Sequence, residues 1–232
     1  MQSSLDPPLR VISSMATRVP LEVMLTDYQA EHHRAVKNEA AGGVNVAKRV
    51  AAGEQFDIVI LAADSIDTLL RDGHLAGSRT DLMRSGIAVA VRKGEPQPDI
   101  SSERALKDLV RSTNSLSYST GPSGVYLERL FERWGLSESV KGRVIVPPPG
   151  VPVASLVASG QSQIGFQQLS ELIDQPDVLV VGSLPPDVQM FTTFCGAIGA
   201  QSASRAAGEG LLGYLASDSR LAVKRRYGMN LD

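Results

Sequence analysis

The chain has 232 residues, 43% of them hydrophobic, enough to bury one large core or two small ones. Lys and Arg number 23 against 25 Asp and Glu. With no basic surplus, nucleic acid and anionic membranes are excluded as expected partners, and any anion site has to come from locally placed donors. No apolar run approaches the roughly 20 residues that span a bilayer.

Strand and helix patterns then alternate. Leu9–Ser13 predicts a short strand, and Leu21, Met24, Leu25 and Tyr28 recur at helical spacing. Arg34–Asn38 reads as a second strand. Gly42-Gly43 breaks the chain before a short helix over Val46–Ala52, closed by Gly53. Phe56–Ala62 is the clearest buried strand. After Asp64 a helix presents Ile66, Leu69 and Leu70 and ends near Gly73. Gly86–Val91 is another buried strand, and Lys93–Ser101 is a loop punctuated by Gly94, Pro96 and Pro98. Ala105, Leu106, Leu109 and Val110 form a helix face, and Ser115–Ser119 a strand. Thr120–Gly124 is a turn, followed by the helical stripe Leu127, Leu130, Phe131 and Trp134. Arg143–Val146 is a strand ending in Pro147-Pro148-Pro149-Gly150. A helix bearing Val153, Leu156 and Val157 stops at Gly160, before the strand Ile164–Phe166 and the helical turn Leu169–Ile173. Val178–Val181 and Gln189–Ile198 are strands flanking Pro185-Pro186, and Ser202–Tyr227 reads as two helices.

Strands separated by helices imply an α/β fold with a largely parallel sheet. Two proline-marked crossings, near 93–98 and 182–188, divide the chain into one lobe of residues 1–90 plus 190–232 and a second of 91–189, with a hinge at the crossings. In such sheets ligands collect at the carboxyl ends of strands, where helix N-termini also point. That rule selects Ser13, Ser14 and Met15, then Gly43–Asn45, Asp64, Thr120–Tyr126, Gly150–Val153, and Gln167 with Gln168. Hydroxyls and free backbone N–H groups at a helix N-terminus bind anions, although the same residues also serve as plain caps. Arg84, just ahead of the Gly86–Val91 strand, is either a bidentate carboxylate clamp or a surface arginine in a connecting loop.

Other chemistry lacks its motifs. The turn Thr120–Gly124 is not followed by the lysine of a phosphate loop, and no dinucleotide fingerprint or nucleophile elbow occurs. His32, His33 and His74 lack metal-ligand spacing and read as surface histidines. The single cysteine, Cys195, lies in the apolar run Phe191–Ile198 and reads as a buried structural thiol that cannot form an intrachain disulfide. The N-terminal stretch Met1–Pro8 has neither a basic region nor an apolar one. It indicates a cytoplasmic chain or one whose leader has been removed.

Across these segments the chain resembles the molybdate-binding, periplasmic solute-binding proteins of ABC transporters, over nearly its whole length. The marks are Ser13–Ala16, Val46–Val50 with Gly53, the run FDIVILAAD over 56–64, Gly121–Tyr126, and Val153–Gly160 leading into Ile164–Phe166. The resemblance implies a type II periplasmic-binding-protein fold with two lobes, two hinge crossings and an interlobe cleft. It further implies a monomer in the periplasm that needs no metal or organic cofactor and works with an ABC transporter permease. Carried over, it implicates Ser13 or Ser14, Gly43–Asn45, Ser123, Gly124 and Val125, and Val151–Val153. The chain departs from the molybdate proteins at two places. Gly42–Asn45 replaces a serine-rich turn, and Gln167-Gln168 stands where a tyrosine follows the late strand. Amides there, together with Arg84, suit planar carboxylates better than a tetrahedral oxyanion. A branch of the family that includes aconitate isomerases is the more similar one. Three readings follow: a binding protein for a small di- or tricarboxylate, a cofactor-free aconitate isomerase, and a molybdate or tungstate receptor. An isomerase needs a proton acceptor, for which Asp64, Tyr126 and Glu171 are candidates. Asp64 reads equally as the N-cap of the following helix.

Overall fold

The computed structural model describes residues 7–148 and 151–230. Pro149 and Gly150 of the proline-rich turn, and residues 1–6 of the stretch read for a leader, lie outside the described residues. In chain order the strands are β1 (Leu9–Ser14), β2 (Val36–Ala41), β3 (Ile58–Ala62), β4 (Leu75–Arg92), β5 (Leu116–Tyr118), β6 (Val144–Ile145), β7 (Ile164–Gln168), β8 (Val178–Ser183), β9 (Phe191–Gly199) and β10 (Met229–Asn230). The helices are α1 (Arg18–His32), α2 (Gly43–Ala51), α3 (Ala63–Arg71), α4 (Glu103–Ser112), α5 (Pro122–Arg133), α6 (Ser137–Val140), α7 (Val153–Ala158), α8 (Leu169–Leu172), α9 (Arg205–Ala216) and α10 (Leu221–Arg226).

The chain forms two compact units. One comprises residues 1–84 and 193–232, the other Ser85–Thr192. The divisions fall at Arg84/Ser85 inside β4 and at Thr192/Thr193 inside β9. The proline-marked segments 93–98 and 182–188, expected as crossings, both lie within the second unit. Continuous strands carry the chain from unit to unit, and their apolar runs hide the passage from a reading that looks for loop residues.

In the first unit β1 pairs in parallel with β2 and β3, and β9 runs antiparallel to β3. Alternate β1 and β3 side chains feed opposite faces, as a pleated strand requires. Val11, Ile58 and Ile60 join Leu21, Met24 and Leu25 of α1 and Leu211, Leu212 and Leu215 of α9 in one core. Ile12, Val59 and Leu61 join Val46 and Val50 of α2 and Ile66 and Leu69 of α3 in the other. Ile58, Val59, Ile60 and Leu61 are all buried, each contributing about 1.5–3 kcal/mol of burial. A strand covered by helices on both faces has to be apolar at every position, so this stretch is legible in the sequence.

In the second unit β5, β6 and β7 are parallel, and β4 lies antiparallel to β7 on one edge and to β8 on the other. Leu106 and Val110 of α4 pack with Leu127, Leu130 and Phe131 of α5 and with Phe166 on one face. Ala88, Ala90, Ala154 and Leu172 form a smaller core on the other. Each unit is therefore a parallel core bordered by antiparallel strands, not the largely parallel sheet expected.

Three other local expectations are corrected. The second strand lies at Val36–Ala41 rather than 34–38. Gly42-Gly43 does not break the chain ahead of a helix at Val46; α2 begins at Gly43 itself with Gly42 as its cap position. Arg84 does not lie in a connecting loop, because Leu75 to Ser85 forms the first part of the 18-residue β4. Ser78, Arg79, Thr80 and Asp81 interrupt its apolar pattern, and Arg79 pairs with Asp67 at 2.6 Å and Asp81 at 3.3 Å.

Candidate functional site

Parallel pairing brings the carboxyl ends of β1, β2 and β3 to one end of the first unit's sheet. There β1 ends in Ser13 and Ser14, β2 leads into α2 and β3 into α3. Ser13 is fully buried and its hydroxyl has no hydrogen-bond partner. Ser14 lies beside the start of α2, its Oγ 3.8 Å from where a Cβ on Gly43 would sit. Met15 opens a single 3-10 turn that leads into α1, and Thr17 Oγ1 donates to the Ser14 carbonyl at 2.9 Å. Asn45 is exposed in the first turn of α2. The cap positions of α2 and α3 are Gly42 and Ala62, which have no side-chain acceptor. The first N–H groups of both helices therefore remain donors for water or a ligand. Asp64 is not an N-cap. It stands one residue inside α3, exposed, with its backbone carbonyl accepting from Thr68 Oγ1 at 2.9 Å.

The second unit repeats the arrangement. There β5 leads to α5, β6 to α7 and β7 to α8, all at one end of a parallel set. Gly121 caps α5 and Pro122 is its first residue, where a missing N–H costs nothing. Ser123 and Gly124 are buried and Val125 is exposed. A Cβ on Gly124 would run into the Ser119 carbonyl, so only glycine lets the first turn of α5 lie against that strand end. Val151 is exposed just ahead of α7. Gln167 and Gln168, each 3% exposed, close β7 and point to opposite faces of it. Gln167 Nε2 donates to Glu171 Oε2, and Gln168 Nε2 to Thr192 Oγ1, both at 2.7 Å. The carbonyl oxygens of both glutamines, and the hydroxyls of Ser85, Ser117 and Ser170, are buried without a partner. Unsatisfied buried polar atoms are rare in folded proteins and mark places where a ligand or water is needed.

The titratable groups separate clearly. Burial pushes the Glu171 carboxyl up to about 7, against the opposing hydrogen bond from Gln167. Tyr126 Oη donates to the Val188 carbonyl at 2.9 Å, and burial raises its acid range further, so it stays a phenol and a structural tie. Cys195 is buried, donates to Asp81 Oδ1 at 3.0 Å and is pushed up to about 12, foremost by burial. Arg84 is a partly buried residue of β4, not a loop arginine. Among the described residues no three His, Cys, Asp or Glu side chains gather into a metal-ligand set.

Thus Ser13, Ser14, Met15, Asn45 and Asp64 gather at one end of the first unit, and Ser123, Gly124, Val125, Tyr126, Val151, Gln167, Gln168 and Glu171 at one end of the second. Sequence reasoning missed Ser85, Ser117, Ser170 and Thr192. Ser117 sits inside a three-residue buried strand, and the only signal in the sequence is a hydroxyl between two apolar residues.

Paired parallel-cored units joined through β4 and β9 have the architecture of type II periplasmic binding proteins. Solved structures carry the same fold. The periplasmic molybdate-binding protein of Azotobacter vinelandii superposes with a TM-score of 0.81 at 18% identity, over 97% of this chain and 99% of that one. The sulfate-binding protein of Mycobacterium tuberculosis gives 0.79 at 14% identity, over 97% and 87%. The chain belongs to the bacterial extracellular solute-binding protein family, whose model matches residues 9–230. An aconitate isomerase from Pseudomonas sp. is 39% identical over 214 residues, which is 90% of this chain and 77% of that protein.

Proposed function

We propose that this protein binds a small polycarboxylate and interconverts trans- and cis-aconitate without a cofactor. The observation that carries this reading is the 39% identity to an aconitate isomerase along 90% of the chain. The polar groups support it. In the second unit the serine hydroxyls at positions 85, 117 and 170 are buried without partners and are free to donate to carboxylate oxygens, and in the first unit Ser13 is of the same kind. The uncapped first turn of α5 adds backbone donors in the second unit, and those of α2 and α3 do so in the first. Isomerisation requires that one C–H bond at the substrate methylene break while a new one forms at the vinyl carbon. Its double bond shifts between them, and no electrons or atoms are gained or lost. Rigid placement of the acid is the main service a binding fold brings to such a step.

Membership in a solute-binding family favours a second reading, in which the chain only carries an organic acid to an ABC transporter permease. Both readings carry with them a periplasmic, monomeric protein. Incubation of purified protein with trans-aconitate, followed by chromatography, separates the two. Appearance of cis-aconitate is the expected result, and tight binding without turnover leaves the carrier reading alone. In thermal-shift titrations trans-aconitate raises the melting temperature and molybdate and tungstate do not. Stabilisation by molybdate restores an oxyanion receptor.

A further inference from the structure

We infer that Glu171 is the catalytic group that takes the proton from the substrate methylene and returns it to the vinyl carbon, with Gln167 as its positioning residue. This rests on the isomerase reading above. Glu171 is the third residue of α8, directly after the carboxyl end of β7, where the ligand donors of this unit collect. One of its oxygens, Oε2, is held by Gln167 Nε2 at 2.7 Å, and Gln167 is itself 3% exposed and so cannot swing away. The hydrogen bond to that carboxyl comes from Gln167 alone among the described residues, and beside it the Ser170 hydroxyl and the Gln167 side-chain amide oxygen lack partners. A carboxyl anchored through one oxygen is the geometry a proton carrier needs.

The electrostatics agree with this placement. Around α8 lie β7, β8 and α7, which carry no titratable side chain, and β4, which reaches α8 through Ala88 and Ala90 and carries Arg79, Asp81, Arg84 and Arg92. The charges that follow in the chain, Asp174 and Asp177, are exposed. Two causes set the balance of Glu171 near neutrality: burial, which raises its proton affinity, and the Gln167 hydrogen bond, which opposes that rise. The other candidates lack this combination. Asp64 is exposed, and the Tyr126 hydroxyl is spent on Val188. In the step itself the Glu171 carboxylate accepts H⁺ as the methylene C–H bond breaks. The released pair forms the new double bond, and the old double-bond pair takes the proton back from the carboxylic acid. The carboxylate is regenerated.

The test uses the full chain with trans-aconitate. Glu171→Gln keeps shape and removes the acceptor, so kcat falls about 100-fold or more while the melting temperature and the affinity for trans-aconitate change little. Gln167→Met removes a hydrogen bond to the ionised form, so the acid limb of the kcat/KM profile moves to higher pH and activity is recovered there. A merely structural loss lowers activity at every pH. In D2O a single carboxyl shuttle returns part of the original protium to the product. Wild-type turnover that survives Glu171→Gln overturns the assignment but leaves the isomerase reading. Wild-type binding without turnover overturns both. An unmoved acid limb in Gln167→Met removes Gln167 from its role.

Discussion

Gln168 Nε2 donates to Thr192 Oγ1 at 2.7 Å, a buried hydrogen bond that joins the end of β7 to the start of β9. Cutting either side strands a buried polar group. Gln168→Leu and Thr192→Val are each expected to lower stability by about 1–3 kcal/mol. The double variant is expected to lose less than the sum, since it leaves neither partner unpaired. Urea denaturation of the four proteins checks this, and strict additivity would show that the bond carries no coupling.

Gly124 supplies a sign test. In an ordinary helix Gly→Ala stabilises by about 1 kcal/mol. Here the added methyl meets the Ser119 carbonyl, so Gly124→Ala is expected to cost about 1–3 kcal/mol instead. Equilibrium unfolding reads the sign directly.

Lys224 in α10 is fully buried and its ammonium has no hydrogen-bond partner. Burial lowers its pKa, and Asp218 opposes the shift only in part. In the unfolded chain a lysine titrates near about 10.4. Between that value and the lowered folded one, the unfolded state binds more protons. Wild-type stability therefore falls as pH drops through this window and is level below it. Lys224→Met escapes the loss and is expected to be more stable by about 1–3 kcal/mol at neutral pH. The advantage shrinks as pH rises towards the unfolded lysine value. Melting curves from pH 7 upward check both statements.

Arg84 lies on β4 next to Ser85, whose hydroxyl is one of the unpartnered set. On the reading of Arg84 as a bidentate carboxylate clamp, Arg84→Ala is expected to weaken trans-aconitate about tenfold or more. Calorimetry measures it, and unchanged affinity removes Arg84 from the binding set.

The parts of the fold that were legible share one cause. Phe56–Ala62, Gly86–Val91 and the stripe Leu127, Leu130, Phe131 and Trp134 are buried by their own element's geometry, so the pattern is written locally. The first half of β4 escaped because Arg79 and Asp81 satisfy each other across its exposed face and break the alternation. The chain's passages between units escaped for a related reason: Arg84/Ser85 and Thr192/Thr193 are interior to strands, and strand residues carry no turn signal. Among the candidate site residues, those next to helix starts were selected because ligands collect at the carboxyl ends of strands, whereas Ser85, Ser117 and Thr192, which stand inside strands, were not.

By itself the sequence determined the alternation of strands and helices, the absence of a basic surplus, and the Gln167-Gln168 pair, because each depends on residue identity and near neighbours. Only the tertiary structure decided that Tyr126 is a tie to Val188 and that Glu171, five residues past Phe166, is the carboxyl held near 7. A proton affinity is set by burial and by the groups that pack around a side chain, and those come from strands and helices far apart along the chain.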